Sequence, residues 1–276
     1  MDIPRWAPWA LGIAAAGTGA WWWNRNRQEQ AVVGAEHAAV EAEEGITLLP
    51  GMAEIIAFET TAPGAPTMAD YEASIQQAKG IRLGQYFNLS EFLTSGTARS
   101  RKIPNMMPPD REGELIANLR ALVQNTLDPI RVNLGVPVTI SGGWRSPLLN
   151  DAIGGSRLCK GHGFPNPCAP HRDCGKAPDS VTALALGCGS QHLLGEGVDI
   201  RVKGYVLPSG KGDSKRLAAD ILQLKQAGLI NYDQMVWYDP DQSGHVHLSW
   251  TRRRAPRGEV QRKMASGYVS QLPTVA

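Results

Sequence analysis

Residue types that bind metal ions recur at a suggestive spacing in the C-terminal half of the chain. The run HVHLSW (245–250) carries His245 and His247 one residue apart, and the run GVDIRV (197–202) carries Asp199. Strand side chains alternate between two faces. His245, His247 and Ser249 therefore share one face, and Val246, Leu248 and Trp250 take the other. In the second run Val198, Ile200 and Val202 are apolar, which leaves Asp199 and Arg201 opposite. If both strands bury their apolar sides in one sheet, Asp199 and the histidines point to the same polar face. His192 stands seven residues before Asp199, and the intervening LLGEG holds two glycines. That composition favours a turn returning His192 over the start of the Asp199 strand.

Two imidazoles and a carboxylate that converge and leave a fourth position open form a catalytic zinc arrangement. Zinc accepts both donor types in a tetrahedral shell, and a position left to water makes hydroxide available near neutral pH. On spacing alone, the same residues also fit surface histidines on a strand and an ordinary solvated carboxylate.

The elements that must position these groups follow from periodicity. Leu115, Leu119, Leu122, Val123 and Leu127 recur at helical spacing and predict a helix over 111–132, capped by Asp110. Pro129 should kink or end it. A second helix is expected over 214–227, with Leu217, Ile221 and Leu224 on one face, Asp213 as cap and Gly228 as stop. VPVTIS (136–141) and YDQMVWY (232–238) add two strand-like runs. The expected class is α+β, a small antiparallel sheet flanked by helices.

Composition sets outer bounds. The chain has 276 residues, 42% hydrophobic and 20% charged, which excludes a wholly disordered chain and a polytopic membrane protein. A formal net charge of +2 argues against a global polyelectrolyte binder, so no specific nucleic acid partner is expected. Residues 6–23, WAPWALGIAAAGTGAWWW, carry no charge and have tryptophans at both ends. A helix of that length rises about 27 Å, close to a bilayer core. The segment, within residues 1–25, predicts a membrane anchor, with a signal peptide cut after Ala20 as the alternative. Arg25 and Arg27 behind it weakly favour keeping the C-terminal side inside, against the wall-facing placement argued below. Residues 26–85 read as a stalk and linker, with TTAPGAPT (60–67) as punctuation.

Three motifs in order, ISGGWRSPLLNDAIGGS (140–156), SQHLLGEGVDI (190–200) and HVHLS (245–249), carry a family likeness. The chain resembles the zinc D-Ala-D-Ala carboxypeptidases and the related L-Ala-D-Glu endopeptidases, peptidoglycan metallopeptidases of hedgehog-like fold. FNLSEF and YDQMVWY are similar to their phage-encoded members, and the likeness spans residues 86–252. It implies a zinc cofactor held by His192, Asp199 and His247. Arg145 would engage the substrate near the scissile carbonyl, where a guanidinium binds a carboxylate or a developing oxyanion. Ser190 matches a hydroxyl near metal and substrate, and Gln191 a frequent companion to which no role is assigned. His245 is the candidate for proton transfer. Glu196, Asp239 and Asp241 are weaker candidates for a base.

The implied activity is hydrolysis of a peptide bond in bacterial peptidoglycan stem peptides. It would serve wall remodelling or, for a phage, wall penetration and lysis. The implied place is membrane-anchored and wall-facing, or in a virion membrane. The alternative from another class is a non-catalytic metal-binding protein that binds cell wall or builds a virion.

Two departures from the family pattern stand out. Gly197 replaces the usual alanine, a change expected to be tolerated. An insertion over 157–189 carries Cys159, Cys168, Cys174 and Cys188 with His162 and His171. Two disulfides, a second structural zinc or free thiols all fit it. It is expected to border the cleft. Finally, Arg252, Arg253, Arg254, Arg257, Arg262 and Lys263 make a basic run just after the last expected strand, and residues 253–276 read as a basic tail. This tail is either a solvated extension or a contact for anionic polymers or lipid headgroups.

Overall fold

The computed structural model describes residues 65–153 and 190–273. The expected anchor and the cysteine insertion lie outside the described residues. Among those described, no helix is long and apolar enough to cross a membrane.

The fold is α+β. Six strands, β1 (Val138–Gly142), β2 (Gly197–Val202), β3 (Gln234–Tyr238), β4 (Val246–Ser249), β5 (Glu259–Met264) and β6 (Gly267–Val269), form one sheet in the order β1-β2-β4-β3-β5-β6. Alternation works as the sequence predicts. Val198, Ile200, Met235, Trp237, Val246 and Leu248 are buried in one core with Leu115, Leu119, Leu217 and Ile221 from the helices. The helix Ser214–Gln226 follows its expected pattern: Asp213 accepts from the Arg216 N–H, and Gly228 takes a positive φ of 72°.

Three expectations need correction. First, the sheet is mixed, because β3 and β5 run parallel. The 250–258 connection crosses the end of β3 and enters β5 on its far side, which reverses the relation to β4. Second, the predicted helix over 111–132 is two helices, Glu112–Leu122 and Asp128–Leu134, joined by a π turn at Val123–Leu127. Arg111, not Asp110, occupies the first N-cap. Pro129 has no N–H to give Asn125, and its ring crowds that carbonyl. The widened turn leaves the Asn125 carbonyl to accept from the Asn231 N–H at 3.3 Å, while Thr126 Oγ1 donates to the Asn231 carbonyl at 2.7 Å. The irregularity thus ties the helix to the approach to β3.

Third, the packed unit runs beyond 86–252 on both sides. The helix Met68–Ala78 buries Tyr71 and Ile75 in the core, and β5 and β6 come from the stretch read as a basic tail. Four of its arginines are partnered. Arg254 and Arg257 both bind the fully buried Asp233, Arg253 binds Glu196, and Arg262 binds Asp239. Asp233 and Glu196 immediately precede β3 and β2, so these pairs fasten the crossing loop along one end of the sheet.

Candidate metal centre

The site is built where β2 and β4 lie side by side. Asp199 and His247 are direct cross-strand partners, which places their side chains together on the polar face. His192 arrives from a tight turn. Within it Leu193 N–H donates to the Ser190 carbonyl, Gly195 N–H to the His192 carbonyl and Glu196 N–H to the Gln191 carbonyl. Gly195 has a φ of 66°, and a Cβ there would lie 2.8 Å from the Leu115 carbonyl oxygen. The turn therefore requires glycine. Trp144, buried, donates from Nε1 to the Leu193 carbonyl at 3.0 Å and pins the turn to the loop after β1.

His192, Asp199 and His247 are 5%, 5% and 8% exposed, and one ligand atom from each falls within 4.8 Å of the others. Asp199 Oδ1 lies 2.8 Å from His247 Nδ1, 3.4 Å from His192 Nε2 and 3.6 Å from His245 Nε2. The far nitrogens are occupied. His192 Nδ1 is 2.7 Å from the Gly143 carbonyl, which can only accept, so this nitrogen carries the proton. His192 Nε2 then presents a lone pair to Asp199. His247 Nε2 faces Gln191 Oε1 at 2.9 Å and likewise donates. His192 Nε2, His247 Nδ1 and an Asp199 carboxylate oxygen thus converge, an arrangement that could hold a cation between them. The donor set fits a metal ion.

Glycines allow the approach. A Cβ at Gly142 would sit 2.6 Å from Asp199 Oδ2, and one at Gly143 only 2.3 Å from the Phe92 carbonyl oxygen. A Cβ at Gly197 would sit 2.9 Å from both His247 Cε1 and Gln191 Cβ. The family's usual alanine would press on the imidazole here, so glycine is the residue this packing suits.

Arg145 donates from Nη2 to Asp199 Oδ2 at 2.8 Å and lines the open cleft beside the site with Arg201, His245, Ser141, Thr94 and Ser95. Its loop is clamped by Asn105, buried, whose Nδ2 donates to the Leu93 and Trp144 carbonyls and whose Oδ1 accepts from the Ser146 N–H. Burial, reinforced by the Arg145 charge, pushes His192 down to about 4. Burial also pushes His245 down to about 4. For Asp199, burial alone would raise the pKa. The electrostatic influence of His192 and His245 outweighs that and holds it well below the ordinary carboxylate range.

The remaining expectations separate clearly. Ser190 Oγ accepts from the His192 N–H and shapes the turn. Glu196 is taken by Thr251 and Arg253, and Asp239 by Arg262. Asp241 is exposed and paired with Lys211. His245 stays near the centre, its Nδ1 2.7 Å from Ser243 Oγ and its ring stacked 4.1 Å from Tyr238. Sequence reasoning missed Tyr238, Asn105 and the role of Gln191. Only Tyr238 leaves a trace, because alternation along β3 puts it on the polar face beside His245.

Compared with known proteins, the chain matches no family model, no curated sequence and no solved structure.

Proposed function

We propose that the chain is a zinc-dependent peptidase acting on the stem peptides of bacterial peptidoglycan, held at the membrane and facing the wall. The observation that carries the reading is the buried His192–Asp199–His247 group, whose Asp199 lines a cleft together with Arg145, Arg201 and His245. When bound, zinc supplies Lewis acidity for a carbonyl and lowers the pKa of water enough to give hydroxide near neutral pH. His192, Asp199 and His247 would hold it. Two guanidiniums on the cleft wall suit a peptide that carries carboxylates. Arg145 is placed to stabilise the oxyanion that develops as water adds to the carbonyl carbon. His245, neutral at pH 7, can take the proton released on attack and pass it to the leaving amine as the C–N bond breaks. The products are a new carboxylate and a new amine.

The test is digestion of purified peptidoglycan by the full chain, with and without chelator, followed by mass spectrometry of the termini. The reading expects new peptide termini that vanish with chelator and with His247→Ala. Metal-loaded protein that gives no new termini would instead favour a non-catalytic wall-binding protein.

A further inference from the structure

We propose that Gln191 is a positioning residue: a hydrogen-bond chain anchored in the β3 backbone makes its amide fix which nitrogen of His247 faces Asp199. The inference rests on reading His192, Asp199 and His247 as a metal centre. The chain begins at Ser249. Its Oγ accepts from the Gln234 N–H at 3.1 Å and from Gln191 Nε2 at 2.9 Å, and it donates to the Gln234 carbonyl at 3.4 Å. A hydroxyl has one proton and two lone pairs, so all three are committed. A flipped Gln191 amide would set its oxygen against a hydroxyl whose proton is already used. Gln191 Oε1 is therefore turned to His247 Nε2, 2.9 Å away, and obliges that nitrogen to carry the proton.

The consequence falls on the other nitrogen. His247 Nδ1 lies 2.8 Å from Asp199 Oδ1. A neutral ring free to choose would place its proton there and hydrogen-bond the carboxylate. That single bond would occupy two of the three ligand atoms at once. Gln191 removes the choice and keeps both atoms available to a cation. Gly197 makes room for this, since a Cβ there would strike both Gln191 Cβ and the His247 ring. The Gly143 carbonyl does the same for His192, from the opposite ring nitrogen.

The role predicts an order of variants that packing alone would reverse. Gln191→Met keeps the volume and loses the acceptor. Gln191→Glu keeps the acceptor. Zinc affinity of the full chain is measured by chelator competition, and the His247 tautomer by nitrogen chemical shifts in chelated protein. Gln191→Met is expected to bind zinc about 10–100-fold more weakly and to shift the His247 proton toward Nδ1. Gln191→Glu, which keeps the acceptor toward His247 but turns its second oxygen to Ser249, is expected to bind zinc more tightly than Gln191→Met. Ser249→Ala, which releases the amide, should weaken binding in the same direction and serves if Gln191→Met does not fold. Wild-type affinity in Gln191→Met, or in Ser249→Ala where that variant stands in, overturns the role of Gln191 and leaves the metal centre standing. No zinc affinity in the wild type removes both.

Discussion

At the residue scale, the site depends on close approach as much as on its ligands. Gly197→Ala is expected to push His247 off its partners and lower metal affinity by about 10-fold or more, read by chelator competition. Unchanged affinity would mean that the ring is not held where Gly197 meets it. Asn105→Ala removes two donated bonds and one accepted bond in the interior, stranding groups that cost about 1–3 kcal/mol each when buried unsatisfied. Urea denaturation should register that loss, and an unchanged midpoint would contradict the clamp. His192, Asp199 and His247 are legible in the sequence because period-2 alternation and a glycine-bearing turn dictate where they point. Gln191 and Asn105 are not. Their partners are a residue 56 positions away for Gln191 and distant backbone groups for Asn105, and no periodicity marks an isolated amide side chain.

At the element scale, the crossing loop between β4 and β5 is fixed by ion pairs. Asp233, fully buried, accepts from both Nη1 and Nη2 of Arg254 and from Nε and Nη2 of Arg257, and both arginines lower its pKa against the rise that burial imposes. Removing one member of a fully buried pair costs about 3–5 kcal/mol, an upper bound here because Arg254 and Arg257 keep some solvent contact and Arg257 keeps Glu259. Asp233→Ala is therefore expected to lose up to that much in urea denaturation and to expose β5 and β6 amides to hydrogen exchange. Retained protection there would show that strand pairing alone holds the edge. The strands with apolar alternation, β1 to β4, are readable from sequence. β5 is not, since its residues EVQRKM carry little apolar alternation and its charges look solvated until their carboxylate partners are known. The π turn is hidden for a similar reason. Pro129 signals an interruption, but only the distant Asn231 decides its form.

At the scale of the whole molecule, two buried neutral histidines link folding to pH. His192 and His245 fall from 6.5 to about 4 on folding. Between those values the unfolded chain binds protons that the folded one refuses, so stability rises with pH across the window. The contribution is complete above about 6.5 and is lost as pH falls through about 4. Asp199, also lowered, adds loss of the same sign at more acid pH. Glu259, raised to about 6 from 4.5 mainly by burial, acts in the opposite sense over its narrower interval. Chelated protein is thus expected to be less stable at pH 4.5 than at pH 7, with His245→Gln flattening the difference. A flat profile in the wild type would contradict burial of the neutral rings. The central claim is that His192, Asp199 and His247 together hold one divalent ion. Its most direct test is metal content per chain, by elemental analysis after zinc loading and dialysis, in the wild type and in His192→Ala, Asp199→Ala and His247→Ala. The account predicts that each folded variant carries one equivalent less than the wild type. Equal metal content in all four proteins would contradict it.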